Sequence, residues 1–190
     1  MARGYMEFRV GSRGPDGRPV AVWLRDYEAK FPRKVFRPAA ADALTRTARK
    51  AYTRSVRYAA VQTQVPQKII RDKSWVIPAR TRPGRLYSGL ALTARGINPL
   101  RLNYRYVRKG LRAGKHYWER GFANKVGANR TLQALQRVGR ERYPIVVVRI
   151  PIKGLDRFDT ILGRYVRTFL PVRFAQQLQY RSEKLTKGGA

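Results

Sequence analysis

The most apolar run in the chain is Arg142-Tyr143-Pro144-Ile145-Val146-Val147-Val148-Arg149-Ile150-Pro151-Ile152, and no other stretch limits the fold as much. Val146, Val147, Val148 and Ile150 are β-branched, and Pro144 and Pro151 bracket them. A short β-branched run with proline at each end predicts a buried strand, because proline has no N–H for the ladder and marks where pairing starts or stops. Basic strand candidates precede this run and an amphipathic helix candidate follows it. Both are expected to pack against it.

Taken in order, residues 1–20 read as an extended arm or hairpin, turning through Gly11 to Pro19 and reaching a neighbouring subunit. Val20, Trp23, Leu24, Tyr27 and Phe31 share one face of a short helix that Pro32 ends. Residues 38–64 predict the longest helix of the first half, with Pro38 in its first turn. Ala40, Leu44, Thr47, Ala51, Ser55 and Tyr58 form a narrow stripe of mostly small side chains along it. Arg46, Arg49, Lys50 and Arg57 fall on another face, flanked by Arg54, and no acid follows Asp42 within the helix. That basic stripe is expected to lack a local partner and to face DNA or an acidic neighbouring protein.

From residue 79 a basic turn leads into alternating strands. Leu86 to Leu92 is expected half-buried, and further strands are expected over 100–107, 116–124 and 131–138. Lys109 to Lys115 reads as a mobile basic loop. In Tyr104-Arg105-Tyr106-Val107-Arg108 the alternation fits core aromatics on one face and solvated arginines on the other. The rival reading is a platform on which single-stranded bases stack. Residues 155–186 predict a helix with Asp156 as N-cap or first-turn charge. Phe158, Ile161, Leu162, Tyr165 and Phe169 form its apolar face, which Phe174, Leu178 and Leu185 continue beyond a kink at Leu170-Pro171. The whole predicts an α+β fold. Its central antiparallel sheet is barrel-like or strongly twisted, flanked by a long N-terminal helix and a kinked C-terminal helix. Residues 21–190 would form one domain behind the 1–20 arm.

Charge decides which partners to consider. The 190 residues carry 42 Lys and Arg, 31 of them Arg, against 11 acids, for a formal net charge of +31. Such an excess opposes compaction unless an anion neutralises it, so contact with a polyanion is the leading inference. Hydrophobic residues make up 43% of the chain, enough to bury a core, so this is not a disordered basic tail.

The same inventory argues against chemistry. The chain has no cysteine and one histidine, His116, which excludes thiol chemistry and a His- or Cys-rich metal site. Asp26/Glu28 and Asp156/Asp159 are the only close acidic pairs, and neither suggests the converging carboxylates of a two-metal nuclease. No phosphate-binding Gly-rich loop is present. We therefore expect no catalytic, cofactor-binding or metal-ligating residues. Met1 to Phe8 has no apolar signal-peptide core, and no apolar run approaches the roughly 20 residues of a membrane span.

Several motifs together carry a family resemblance. They are Arg142-Tyr143-Pro144-Ile145, then Ile150-Pro151-Ile152, Leu170-Pro171 and Phe174-Ala175-Gln176-Gln177-Leu178, with the Ala-rich opening Ala39-Ala40-Ala41 and Leu44. In these the chain resembles the minor tail protein Z family of lambda-like tailed bacteriophages, most strongly over 140–182, while residues 1–30 have no counterpart. The resemblance implies a structural virion protein, made in the host cytoplasm and carried in the phage tail or neck. Its role would be tail completion at the head-proximal end and the head–tail junction. It implies a ring subunit, six copies to the ring, around the DNA channel. Its partners would be neighbouring copies, the tail terminator, the tube or sheath, head-connector proteins and genomic DNA through phosphate contacts. It implies no enzyme, no cofactor and no membrane. The residues alone leave an alternative open: a free nucleic-acid-binding protein, either a DNA-packaging accessory or an RNA-binding domain.

Overall fold

The computed structural model describes residues 5–10 through their backbone, and residues 15–81, 86–93, 95–128, 130–139 and 141–187 in full. The turn expected over 11–14, the basic turn at 82–84 and residues 188–190 lie outside the described residues.

The chain is built around a helix, not around the apolar run. Helix α1 spans Val20–Glu28, and α2 spans Arg33–Thr63, 31 residues. Alanine has the highest helix propensity, and its small side chain lets neighbours approach closely. Ala39, Ala40, Ala43, Leu44, Ala48, Ala51, Val56 and Ala59 are all fully buried. They lie on several sides of α2, so the helix is enclosed over much of its girth, where a narrow stripe was expected. It also starts five residues before Pro38. Pro32 is the N-cap, and its carbonyl accepts from the N–H groups of Val35 and Phe36 at 2.9 Å each. Pro38 lies inside the helix and removes one bond, to the carbonyl of exposed Lys34. At the far end Gln64 turns left-handed at φ 57°, and Val65 donates back to the Ala60 carbonyl at 3.1 Å, closing the helix ahead of Pro66.

Two C-terminal helices lie against α2: α4 (Asp156–Thr168) and α5 (Leu170–Lys187), which follow the short α3 (Gln67–Arg71) in chain order. They are separated at Phe169, where the Leu170-Pro171 break was expected. Phe158, Leu162, Val166, Leu170, Phe174 and Leu178 are buried, while Leu185 is exposed. Asp156 is the first helical residue and not the N-cap, a position that Leu155 takes without a side-chain bond. Asp156 and Asp159 therefore act as first-turn charges on the helix dipole, with Asp156 also 3.9 Å from Arg157 Nε. Trp23, Tyr27 and Phe36 gather around Phe174, with ring centroids 5.4, 5.2 and 5.9 Å from it. This cluster joins α1, α2 and α5.

Among the described residues the strands form three separate three-stranded antiparallel sheets and no closed barrel. In the first, β3 (Ser88–Thr93) lies between β1 (Tyr5–Val10) and β2 (Ser74–Ile77). Residues 5–10 thus pair with the chain's own β3. Because β3 is central and also packs on α2, Ser88 to Leu92 are buried on both faces, not on alternate ones. Side-chain hydroxyls tie this sheet to α2: Tyr52 donates to the Ser74 carbonyl at 3.1 Å, and Thr45 Oγ1 accepts from the Ala79 N–H at 3.0 Å.

The second sheet is β4 (Tyr104–Val107), β5 (Gly110–Ala113) and β6 (His116–Glu119). The expected mobile loop is its central strand, with Leu111 and Ala113 fully buried. The single strand expected over 116–124 is broken at Arg120, whose φ of 54° turns the chain into a new sheet. That third sheet is β7 (Gly121–Val126), β8 (Thr131–Arg137) and β9 (Ile145–Val147).

The apolar run is thus not one buried strand. Its strand is only Ile145 to Val147, at the edge of the third sheet, and Val146 and Val147 are 43% and 46% exposed. Val148 and Ile150 are buried. Ile150 exchanges both backbone hydrogen bonds with Ile97 at 2.9 Å, which attaches the third sheet to the main core. Leu111, Ala134 and Val148 form a second, smaller core with Leu100 and Trp118 against it.

Candidate functional site

The five stripe residues Arg46, Arg49, Lys50, Arg54 and Arg57 are all exposed along the second half of α2. The helical repeat explains why they are uncovered. Ala39 precedes Arg46 by seven residues and Lys50 by eleven, so all three share an azimuth, as do Phe36, Ala43 and Arg54. Nearer the N-terminus that side is buried, with Phe36 against Phe174 of α5. Helix α5 begins at Leu170, and its cover ends where the Lys50 ammonium lies 5.8 Å from the centre of the Phe169 ring. Beyond that point the side is open to solvent.

The stripe is not uniform. Arg46 Nε pairs with Asp42 at 2.8 Å, four residues back. This corrects the expectation that no member has a local partner. Lys50 is engaged with Phe169 through a cation–π contact. Arg49, Arg54 and Arg57 make no ion pair among the described residues, and they are the chemically free part of the surface.

The acids cannot neutralise this surface. Asp16 and Asp26 share Arg18, Glu28 pairs with Arg37, and Asp72 pairs with Arg101 at 2.7 Å. Desolvation pushes the Asp16 carboxyl up, and hydrogen bonds from Arg18 outweigh it, holding the group below the usual carboxylate range. Four of the 11 acids are thus engaged with cations elsewhere in the chain, and against 42 cations the rest are too few to neutralise the surface.

The motif residues divide between surface and core. Ile150 is in the core, Ile145 is half-buried in β9, and Arg142, Tyr143, Pro144 and Pro151 are exposed. The Tyr143–Pro144 peptide is cis, the Arg142 guanidinium lies 5.8 Å from the Tyr143 ring centre, and the Pro144 carbonyl accepts from Val138 N–H at 3.0 Å. No hydrogen bond, ion pair or ring contact among the described residues joins this motif to the α2 stripe.

His116 has a structural role: Nε2 donates to the Thr63 carbonyl at 2.9 Å and the ring stacks on Trp118, tying β6 to the end of α2. Among the described residues no group of three or more His, Cys, Asp or Glu gathers in a way that would hold a metal ion. No helix among them is long and apolar enough to cross a membrane.

The tyrosines of 104–108 are not core aromatics. Tyr104 and Tyr106 are exposed, Tyr106 by 61%, and they meet edge to face at 6.2 Å. Sequence reasoning also missed what lies beside them. Strand pairing brings Arg120, Phe122 and Arg137 to Tyr106, Arg108 and Lys109 around one recess, although up to 31 positions separate them in sequence.

Comparison with known proteins adds one finding. The family model described as prophage minor tail protein Z (GPZ) matches residues 29–187. No curated protein and no solved structure matches the chain.

Proposed function

We propose a head-proximal role for this chain, which belongs to the prophage minor tail protein Z family and is therefore a structural protein of a phage tail. In this reading it completes the tail at the end that meets the head, as one subunit of a ring, six copies to the ring, around the DNA channel. Residues 1–20 would form an arm on a domain spanning 21–190, an arm whose strand β1 pairs back onto β3. Neighbouring copies, the tail terminator, the tube or sheath and the head connector are its protein partners.

The observation that carries this reading is the open arginine face of α2. Arg49, Arg54 and Arg57 stand on a long, tightly packed helix, so their positions are held by the core and not by a loop. The chain carries 11 acids against 42 cations, so a second copy brings the same net charge of +31. Overall repulsion between copies opposes covering the stripe with one of them, and the stripe faces something foreign and anionic, the genome or an acidic neighbouring ring. Copies would then join through apolar contacts, for which exposed Tyr143, Val146 and Val147 are available.

Disrupting the gene tests the role. The expected result is normal heads and tails of normal length that fail to join into infectious particles, with joining restored when the wild-type chain is supplied in trans. Infectious particles at the normal titre without the protein would contradict it. The rival reading, a free nucleic-acid-binding protein, draws on the same charge and predicts a protein that stays outside the particle.

A further inference from the structure

A second basic feature lies away from the α2 stripe. The β4–β5 hairpin faces the β7–β8 pair across an open recess of about 500 Å³. Arg108, Lys109, Arg120 and Arg137 line it together with Tyr106 and Phe122, and no acid does. We propose that this recess binds the sugar–phosphate backbone of DNA. The choice of DNA over another polyanion rests on the phage-tail reading.

The recess is built, not an accident of surface lysines. Arg137 is stacked on Phe122, its guanidinium 5.5 Å from the ring centre, which limits its rotamers and presents its fork. Arg120 stands at a positive φ of 54°, a conformation that costs a non-glycine residue about 1–2 kcal/mol. It is held there from both sides: its N–H donates to the Lys109 carbonyl at 2.6 Å, and its guanidinium donates to the Gly139 carbonyl. Close approach of the two strand pairs requires glycine, since a Cβ at Gly121 would stand 2.9 Å from Leu111 Cβ and from the Trp118 carbonyl oxygen. Tyr106 Oη accepts from Ala123 N–H at 3.2 Å and bridges the pairs.

A second observation on the same hairpin points to an anion. Arg105 and Arg112 are directly opposite each other in the β4–β5 ladder, and both are exposed. Like charges at opposed positions destabilise a hairpin. That pair lies on the hairpin face opposite Tyr106, so a row of phosphates in the recess meets it only around the turn at Arg108-Lys109, where it eases the repulsion at longer range. Duplex DNA supplies such a row, about one charge per 1.7 Å of axis. Another copy of this chain does not, because its 11 acids are scattered among 42 cations. Base reading is not expected: of the two rings that line the recess, Tyr106 is open and Phe122 is covered by Arg137. Recognition is of phosphate, tolerant of sequence.

The test is binding of the full chain to a short duplex of mixed sequence across a salt series. The first variant is Arg108→Gln/Lys109→Gln/Arg137→Gln. A milder one, Arg108→Gln/Lys109→Gln, alters only the exposed turn and leaves Arg137 on Phe122. The control, Arg164→Gln/Arg167→Gln/Lys184→Gln, removes three exposed charges from α4 and α5. We expect the triple groove variant to bind at least about tenfold more weakly than the control, with its slope of log K against log salt shallower by about 2–3, and the double variant by about 2. Groove variants indistinguishable from the control overturn the site and leave the tail reading standing. Polyglutamate of equal charge bound as tightly as the duplex, and lost in the same variants, overturns DNA as the occupant. Wild-type chain that binds DNA through the groove yet is absent from particles overturns the tail reading and leaves the site standing.

Discussion

Phe174→Ala destabilises the fold by about 3–5 kcal/mol, the range for truncating a buried aromatic when the surroundings cannot collapse into the space. Phe174 is 1% exposed and, among the described residues, is the one ring in contact with Trp23, Tyr27 and Phe36 together. Its removal leaves α1 without its main anchor and opens a gap between α2 and α5. Against a typical stability of about 5–15 kcal/mol, the change is large enough to be read directly as a shift of the urea midpoint. The cluster also explains how the N-terminal part is held, because α1 precedes the residues that the family shares. Leu185→Ala on the exposed end of α5 is the comparison, expected within about 0.5 kcal/mol. A loss below about 1 kcal/mol for Phe174→Ala would mean that α1 and α5 do not pack as described.

The second large effect is functional. Arg49→Gln/Arg54→Gln/Arg57→Gln should fold as stably as the wild type, since all three are exposed and make no ion pair among the described residues, and relief of self-repulsion works in its favour. Arg46 and Lys50 are left in place because Asp42 and Phe169 already engage them. Each charge-assisted contact is worth about 1.5–3 kcal/mol. Losing three from one interface is expected to abolish joining, read as collapse of the titre when this variant is the only copy supplied. A stable variant that restores normal titre would remove the stripe from the account.

The helices were legible where local chemistry and packing agree. Trp23 and Leu24 recur at helical spacing and are buried, and Leu170-Pro171 breaks the C-terminal helix because proline cannot continue the ladder. The extent of α2 was harder to read. An alanine-rich helix has little contrast between its faces, so a helix enclosed on several sides and one buried along a stripe look alike in sequence. Apolar content also misled at Val146 and Val147: a β-branched run shows that a segment can be a strand, not whether it lies at the centre or the edge of a sheet. The reverse error occurred at Leu111 and Ala113, where flanking Gly110, Gly114 and lysines read as a loop although two strands enclose the segment.

The candidate site was legible in part for the same reason. The α2 stripe follows from a period within one helix, so residue spacing alone places Arg49 and Arg57 on one face with Arg54 beside them. The recess at Arg108, Lys109, Arg120 and Arg137 depends on how two strand pairs meet, and no period along the chain encodes that. The positive φ at Arg120 that divides β6 from β7 decides it, and only the assembled backbone reveals it.

The most direct test of the head-proximal role is the position of the protein in the particle. Purified virions carrying a label on the C-terminus, which follows α5, would be imaged by electron microscopy. The account predicts label confined to the junction of head and tail, in a ring coaxial with the DNA channel. Virions without label, with the protein recovered free or on nucleic acid from infected cells, would contradict it and establish the free-binding reading in its place.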